Sequence, residues 1–162
     1  MNRAVTAFAA LLATIALGAA PAANHSDPAD LGALVGTWTC TSVNGNVVQH
    51  YKETAIKWGP WIQFTSDIPA IGDQPAHKTV DYFGYDPKGK VWINASVSSL
   101  GDYSVVKSTA PASASTSTWT DAYPVDPDDG PATVSFASKK YTVDATYKAK
   151  GKQTPFHVAC TK

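Results

Sequence analysis

The chain has little of what builds helices and anion-binding sites. Among its 162 residues there is one Arg and one Met, Arg3 and Met1, and a single Glu. Ser and Thr are abundant, and few Leu occur beyond the first twenty residues. This composition disfavours a helical bundle or a coiled coil and favours strands and turns. The scarcity of Arg also argues against a bidentate clamp for phosphate or carboxylate groups.

Charge of either sign is sparse. Lys plus Arg number 13 and Asp plus Glu number 13, so the formal net charge is zero, and charged residues make up 16% of the chain. A nucleic-acid-binding surface needs clustered cationic side chains interleaved with aromatics, and the sequence contains no such patch. We therefore expect no nucleic-acid partner. The length fits one domain.

Residues 1–22 have the three parts of a secretory signal peptide. Arg3 supplies the positive start, an Ala- and Leu-rich apolar run follows, and Ala20-Pro21-Ala22 offers small residues before a cleavage site. The apolar run is short for a bilayer span, and no cationic cluster follows it. We predict cleavage after Ala22, no membrane span in the mature chain, and a periplasmic or secreted location.

The two cysteines, Cys40 and Cys160, predict a disulfide, because an even count in an oxidising compartment is typical of one. There is no C-x-x-C pair, and neither Cys has a His at zinc-ligand spacing. The four His are scattered, and the Asp-rich segment Asp126 to Gly130 lacks the spacing of an EF-hand calcium loop. We therefore expect no metal site.

Short strands separated by turns occupy most of the chain. Residues 23–33 are predicted as a lead-in with a short helix that starts at Asp27-Pro28, and residues 34–162 as one β-domain. The segment 108–117 is either a flexible connection or an edge strand, and Asp121 to Pro131 is predicted as a loop. The predicted strands are 35–43, 47–56, 61–66, 78–85, 91–97, 103–107, 132–137, 141–148 and 154–161. Such strands predict an antiparallel sandwich or barrel.

Alternation of apolar and polar residues assigns an inward face to the clearest strands. Near the C-terminus, one face carries Phe156, Val158 and Cys160, and the opposite face carries His157. In the first strand, Trp38 shares a face with Cys40. A disulfide between Cys40 and Cys160 would therefore place Trp38, Phe156 and Val158 on one common side of the sheet. First and last strands joined in this way would close the sheet into a barrel and remove its edges.

The segment Gly36-Thr37-Trp38 after a short lead-in resembles the opening G-x-W of calycin barrels, the superfamily of lipocalins and fatty-acid-binding proteins. More narrowly, G-T-W-T-C at 36–40, Gly84-Tyr85-Asp86-Pro87 and the terminal Cys160-Thr161-Lys162 resemble exported bacterial lipocalin-like domains of uncharacterised activity. The resemblance implies an all-β, antiparallel up-and-down β-barrel of about 8–10 strands, with Trp38 plugging one end. Lipocalins cover that Trp with an Arg from the last strand; here only Lys148 or Lys162 could substitute.

Aromatic residues of the barrel interior are the candidate ligand-binding residues, because a calycin barrel usually holds an apolar ligand in its mouth. The competing interpretation is that they only fill the core. Some calycin barrels of the nitrobindin type bind haem through a His in a late strand, but His157 is predicted to point outward, so we expect no cofactor. The candidates are Trp38, Tyr85, Trp92, Trp119, Tyr141 and Tyr147.

Catalytic machinery is not evident in the sequence. There is no G-x-S-x-G elbow, and the single Glu53 excludes a pair of Glu residues for acid/base catalysis. We expect an exported, non-catalytic barrel that binds a small apolar or amphipathic molecule. The alternative is a protein-interaction module, such as an exported protease inhibitor or an envelope-associated partner, acting through an arm over Ala23 to Asp30 or through exposed Trp58 and Trp61. An open cavity favours the first function, and a filled barrel favours the second.

Overall fold

The computed structural model describes residues 31–71, 75–109, 115–125, 130–137, 139–149 and 152–162, without the side chains of 147–149. Its strands are β1 Gly36–Asn44, β2 Val47–Trp58, β3 Trp61–Ile68, β4 His77–Asp86, β5 Val91–Ser98, β6 Tyr103–Ser108, β7 Thr116–Tyr123, β8 Ala132–Ala137, β9 Lys140–Ala149 and β10 Lys152–Thr161. All pairings are antiparallel between chain neighbours, and β1 also pairs with β10, which closes the barrel. The predicted all-β, up-and-down barrel is confirmed.

The turns form where the sequence supplies residues that tolerate them. Gly45, in the hairpin between β1 and β2, has a φ of +58°, and Gly59, between β2 and β3, has a φ of +59°. Glycine adopts this left-handed region without the steric penalty of a Cβ atom. The Asn44-Gly45 and Gly59-Pro60 signals therefore become the first two turns of the barrel.

The predicted loop over Asp121 to Pro131 is wrong at its start, because β7 continues through Tyr123. Trp119 and Asp121 alternate on the inward face of this strand and both line the barrel interior. An inward Asp breaks the apolar–polar alternation by which strands are recognised, so the local pattern resembled a loop. The strand ends before Pro124, which lacks a backbone N–H for the ladder.

The structure describes only part of the N-terminal segment for which predictions were made. A one-turn 3-10 helix, Gly32–Leu34, precedes β1. The predicted signal peptide, the helix start at Asp27-Pro28 and the arm over Ala23 to Asp30 lie outside the described residues, as do positions 126–129 of the Asp-rich segment. No helix within the described ranges is long and apolar enough to cross a membrane.

The two ends of the barrel differ in packing. One end, here called the Trp38 end, carries the 3-10 helix, the β2–β3 and β4–β5 turns and the C-terminus, and it holds a core of buried residues that includes Leu34, Trp38, Ile62 and Trp92. The opposite end, here called the mouth, carries the β1–β2, β3–β4, β5–β6 and β7–β8 connections. The barrel is thus packed at one end, which leaves space toward the other.

Candidate functional site: the barrel interior

Trp38 seals the packed end of the barrel. Its indole N–H donates to the carbonyl of Leu34 at 2.8 Å, which satisfies the polar group of an otherwise apolar side chain. The Nζ of Lys162 lies 4.7 Å from the centroid of the Trp38 ring and donates to the carbonyls of Ala33 and Val35 at 2.5 and 2.8 Å. Lys162 therefore occupies the covering position that the calycin resemblance gives to an Arg.

Cys40 and Cys160 join the first and last strands just inside this end. They are directly opposed in the β1–β10 register, and their sulfur atoms lie at bonding distance, 2.00 Å apart. Both residues are fully buried. The predicted pairing therefore places a covalent link across the seam at which the barrel closes.

Beyond this packed end, a cavity of about 540 Å³ occupies the barrel interior. Its volume lies in the range of roughly 300–1,000 Å³ that is typical of small-molecule sites. Residues of the mouth end, including Ile68, Thr79 and Thr146, contribute to its wall. The aromatic residues of the wall are Tyr51, Phe64, Phe83, Trp119, Phe136, Tyr141 and Phe156.

Phe83 forms the boundary between the core and the cavity. Its ring stacks on Trp92 at a centroid distance of 5.4 Å on the core side. It also contacts Trp119 at 5.7 Å and Phe136 at 6.2 Å, and both of these line the cavity. These rings form a connected aromatic floor, held by their contacts with one another.

Glu53, on the inward face of β2, is a carboxyl group buried in the cavity wall. It is only 7% exposed and accepts hydrogen bonds from Ser66 Oγ at 3.0 Å and from Tyr141 Oη at 2.5 Å. Burial raises the pKa of Glu53, the two hydrogen bonds oppose that rise, and the nearby Asp81 carboxylate adds to it. The neutral acid is therefore stabilised relative to a carboxyl group in water.

Asp81 on β4 brings a second, half-buried carboxyl group to the cavity wall. Burial raises the pKa of Asp81, while hydrogen bonds with Ser96, Asn94 and Thr79 lower it. Asp121 on β7 brings a third carboxyl group to the cavity wall. The interior is therefore aromatic over part of its surface and acidic over another part.

Two tyrosines complete the acidic region. Burial raises the pKa of Tyr141, and the Glu53 carboxylate beside it adds to the rise. The pKa of Tyr51 is raised for the same two reasons, with burial first. Both phenols therefore stay protonated across physiological pH, and Tyr141 donates its hydrogen bond to the Glu53 carboxylate.

The predicted ligand-contact residues fall into two groups. Trp119 and Tyr141 lie in the cavity wall, and Trp119 is at the same time part of the buried core. Trp38 and Trp92 belong to the buried core of the Trp38 end, where Tyr85 packs on Trp92 at 5.4 Å. The side chain of Tyr147 lies outside the described ones. Contact with a ligand stays a prediction for all six.

The polar part of the site was missed by sequence reasoning, although a signal for it was present. Glu53 alternates with Tyr51 and Ala55, and Asp81 alternates with Phe83 and Tyr85, so each carboxyl shares a parity with aromatic neighbours. That parity places them inside the barrel, where an acidic residue is unusual.

Two further groups bear on metal and cofactor chemistry. Donor atoms of Cys40, Cys160 and Glu53 lie within 4.8 Å of one another, but the two sulfurs are bonded to each other and offer no thiolate ligand. His157 lies on the outer face, with Nδ1 at 2.6 Å from Asp144 Oδ1. Its ring is therefore on the side of β10 that faces away from the cavity.

Comparisons with known proteins agree with a barrel and give no activity. No family model matches the chain, and no curated protein sequence matches it. Among solved structures, the crystal structure of Rv2717c from M. tuberculosis is similar, with a TM-score of 0.58 and 12% sequence identity, over 83% of this chain and 95% of that chain. At that identity the likeness shows a shared fold alone.

Proposed function

We propose that the chain is a non-catalytic, calycin-like binding protein that takes a small amphipathic molecule into the barrel. The observation that carries this proposal is the cavity of about 540 Å³ above the aromatic floor. A barrel whose interior was wholly filled by side chains would have left no room for a ligand. Here the core stops near Phe83, and the wall beyond it consists of aromatic and polar side chains.

The mixed wall supports an amphipathic ligand rather than a purely apolar one. The aromatic rings offer an apolar surface, and Ser66, Asn94 and Ser96 offer hydrogen-bonding groups in the same cavity. Sites for small molecules typically combine such a surface with a few placed polar groups that fix the orientation of the ligand. A ligand with one apolar and one polar part would satisfy both.

We propose that the protein works outside the cytoplasm, in the periplasm or in the surrounding medium. Two features support this location: the signal-peptide pattern over residues 1–22 and the buried cysteine pair at bonding distance. Native mass spectrometry of the protein exported from its own signal peptide tests this location. We expect the mass of the oxidised chain cleaved after Ala22, and a retained leader or two free thiols would contradict it.

Binding is tested with a neutral fluorescent dye, N-phenyl-1-naphthylamine, whose emission rises in an apolar environment. Ala132 lines the cavity, and Ala137 lies on the outer face of the same strand, β8. We expect the wild-type protein to bind the dye and Ala132→Trp to lose at least about tenfold in affinity, because the indole fills the cavity. Ala137→Trp is the matched control and should bind like the wild type. Absence of dye binding, or equal loss in both variants, would refute the proposal.

A second candidate function, protein interaction, is favoured by one surface feature. Trp58 at the end of β2 is 56% exposed and packs against Tyr82 at a centroid distance of 5.1 Å. Exposed Trp residues are frequent anchors at protein interfaces. The test is co-purification of a partner from the native exported fraction. Trp58→Ala should abolish it, and Val48→Ala, at an exposed position near the other end of β2, should preserve it.

A further inference from the structure

The charges that line the cavity are all of one sign. Glu53 on β2, Asp81 on β4 and Asp121 on β7 each contribute a carboxyl group. Among the lining residues in the described part of the chain there is no Lys, Arg or His. The ion pair of Lys78 with Asp67 lies on the exposed surface, as does the pair of His157 with Asp144. The described part of the cavity wall therefore combines three carboxyl groups with no cationic side chain.

The carboxyl groups of Glu53 and Asp81 face the same part of the cavity. Glu53 is opposite Ser66 in the β2–β3 register, and Asp81 is opposite Phe64 in the β3–β4 register. Ser66 and Phe64 alternate on the inward face of β3, so the two acids flank that strand. Their hydrogen-bond partners are neutral hydroxyl and amide groups. Those partners satisfy the hydrogen-bonding capacity of the carboxylate oxygens but supply no positive charge to balance a negative one.

The second independent feature is the aromatic surface beside these acids. Phe64 is the inward neighbour of Ser66, and Tyr141 donates directly to Glu53. Phe83 and Trp119 form the adjacent floor. The face of an aromatic ring attracts a cation, most strongly where water is excluded. An enclosed site that combines aromatic faces with carboxylates matches the chemistry of an organic ammonium group.

We propose that the cavity selects a small organic cation, an ammonium group carried on an apolar or aromatic body. The charged nitrogen sits between Glu53 and Asp81, and the apolar body lies on the aromatic floor around Phe83. Glu53 and Asp81 are then specificity-determining residues: they attract a cation and repel an anion of the same size. This inference rests on the proposed binding function and adds the charge of the ligand to it.

A cationic ligand also couples binding to pH. The titratable groups that face Glu53 are Tyr51 of its own strand, Asp81 of β4 and Tyr141 of β9; the disulfide does not titrate. Because burial raises the pKa of both acids, their neutral forms persist to a higher pH than those of carboxyl groups in water. A bound cation stabilises the carboxylates and lowers their pKa. Its affinity therefore rises with pH, while that of a neutral ligand stays constant.

The test uses three probes of similar size and different charge: 2-phenylethylamine, 2-phenylethanol and 3-phenylpropionate. Each competes with the neutral naphthylamine dye on the full-length, oxidised protein. We expect the amine to compete at least about tenfold better than the alcohol, a factor that corresponds to roughly 1.4 kcal/mol. The carboxylate should compete least. The advantage of the amine should grow as the pH rises from mildly acidic to neutral.

The variants Glu53→Gln and Asp81→Asn should each reduce the advantage of the amine while dye binding persists. Dye binding reports that a variant is folded, and two separate variants keep the test usable if one fails to fold. Asp144→Asn, on the outer face of β9, is the matched control and should change nothing.

The outcomes separate the two proposals. If the dye binds but the amine competes no better than the alcohol, the charge selectivity is wrong and the binding function stands. If the amine retains its full advantage in both folded acid variants, the assigned residues are wrong. If neither the dye nor any probe binds, the binding function fails and the charge selectivity fails with it.

Discussion

Breaking the bond between Cys40 and Cys160 should destabilise the barrel more than any other single change at its seam. The two residues are 120 positions apart and lie opposite each other on β1 and β10, so the bond closes a loop that contains every other strand. The chain-entropy model gives roughly 5 kcal/mol at 25 °C for a loop of this length. For a domain of this size, that corresponds to a fall of roughly 15–20 °C in the melting temperature.

Thermal unfolding followed by near-ultraviolet circular dichroism measures this fall, because Trp38 packs beside the disulfide and reports on that end of the barrel. The oxidised protein is compared with the same protein under a reducing agent, with free thiols titrated to confirm reduction. The double variant Cys40→Ala with Cys160→Ala should melt at least as low, because it also removes two buried sulfur atoms.

The barrel should nevertheless stay closed when the bond is absent. β1 and β10 remain paired from Thr39 and Thr161 to Asn44 and Phe156, so the seam keeps its hydrogen bonds. Dye binding well below the melting temperature should therefore persist. A fall of less than about 5 °C with fully titrated thiols would refute loop closure as the source of stability.

Three further predictions concern single residues. Lys162→Ala should lower the free energy of unfolding, measured by chemical denaturation, by about 1–2 kcal/mol, because Trp38 loses the cation that covers its ring. Lys162→Arg should retain most of the wild-type stability. The pKa of Glu53 is higher in the folded protein than in the unfolded chain. As the pH rises above about 4.3, the unfolded chain therefore releases the Glu53 proton before the folded protein does, and the free energy of unfolding falls. Glu53→Gln removes that contribution, so the stability of the variant relative to the wild type should rise between that pH and neutrality; a pH-independent difference would contradict it. Gly84→Ala should destabilise by about 1–3 kcal/mol, because a Cβ atom there would lie 2.5 Å from the Trp61 ring; Gly32→Ala, which meets nothing, serves as the control.

Most strands of this chain could be predicted from the sequence because their residues alternate between apolar and polar. In β9 and β10 the alternation predicts one inward face for Tyr141 and Val143 and another for Phe156 and Val158, and all four line the cavity. The same rule failed in β7, where the inward residue Asp121 is acidic. A strand with polar inward residues is hard to recognise from the sequence, because the alternation that predicts strands requires an apolar inward face.

The roles of single residues were predictable to different degrees. The position of Trp38 followed from its resemblance to the calycin opening, and Lys162 was one of two candidates to cover it. Nothing in the local sequence distinguished an aromatic of the cavity wall, such as Trp119, from one of the packed core, such as Trp92. Both lie on inward faces of strands and are buried to similar extents.

Composition and alternation, which are properties of neighbouring residues, were enough to determine an all-β domain, its turns and the inward face of most strands. Only the tertiary structure decided that the barrel is left open beyond Phe83 and that Glu53, Asp81 and Asp121 meet inside it. The physical reason is geometric. The width of a barrel depends on the number of strands and on their stagger around the whole circuit. Residues from β2, β4 and β7 come together only when that circuit closes.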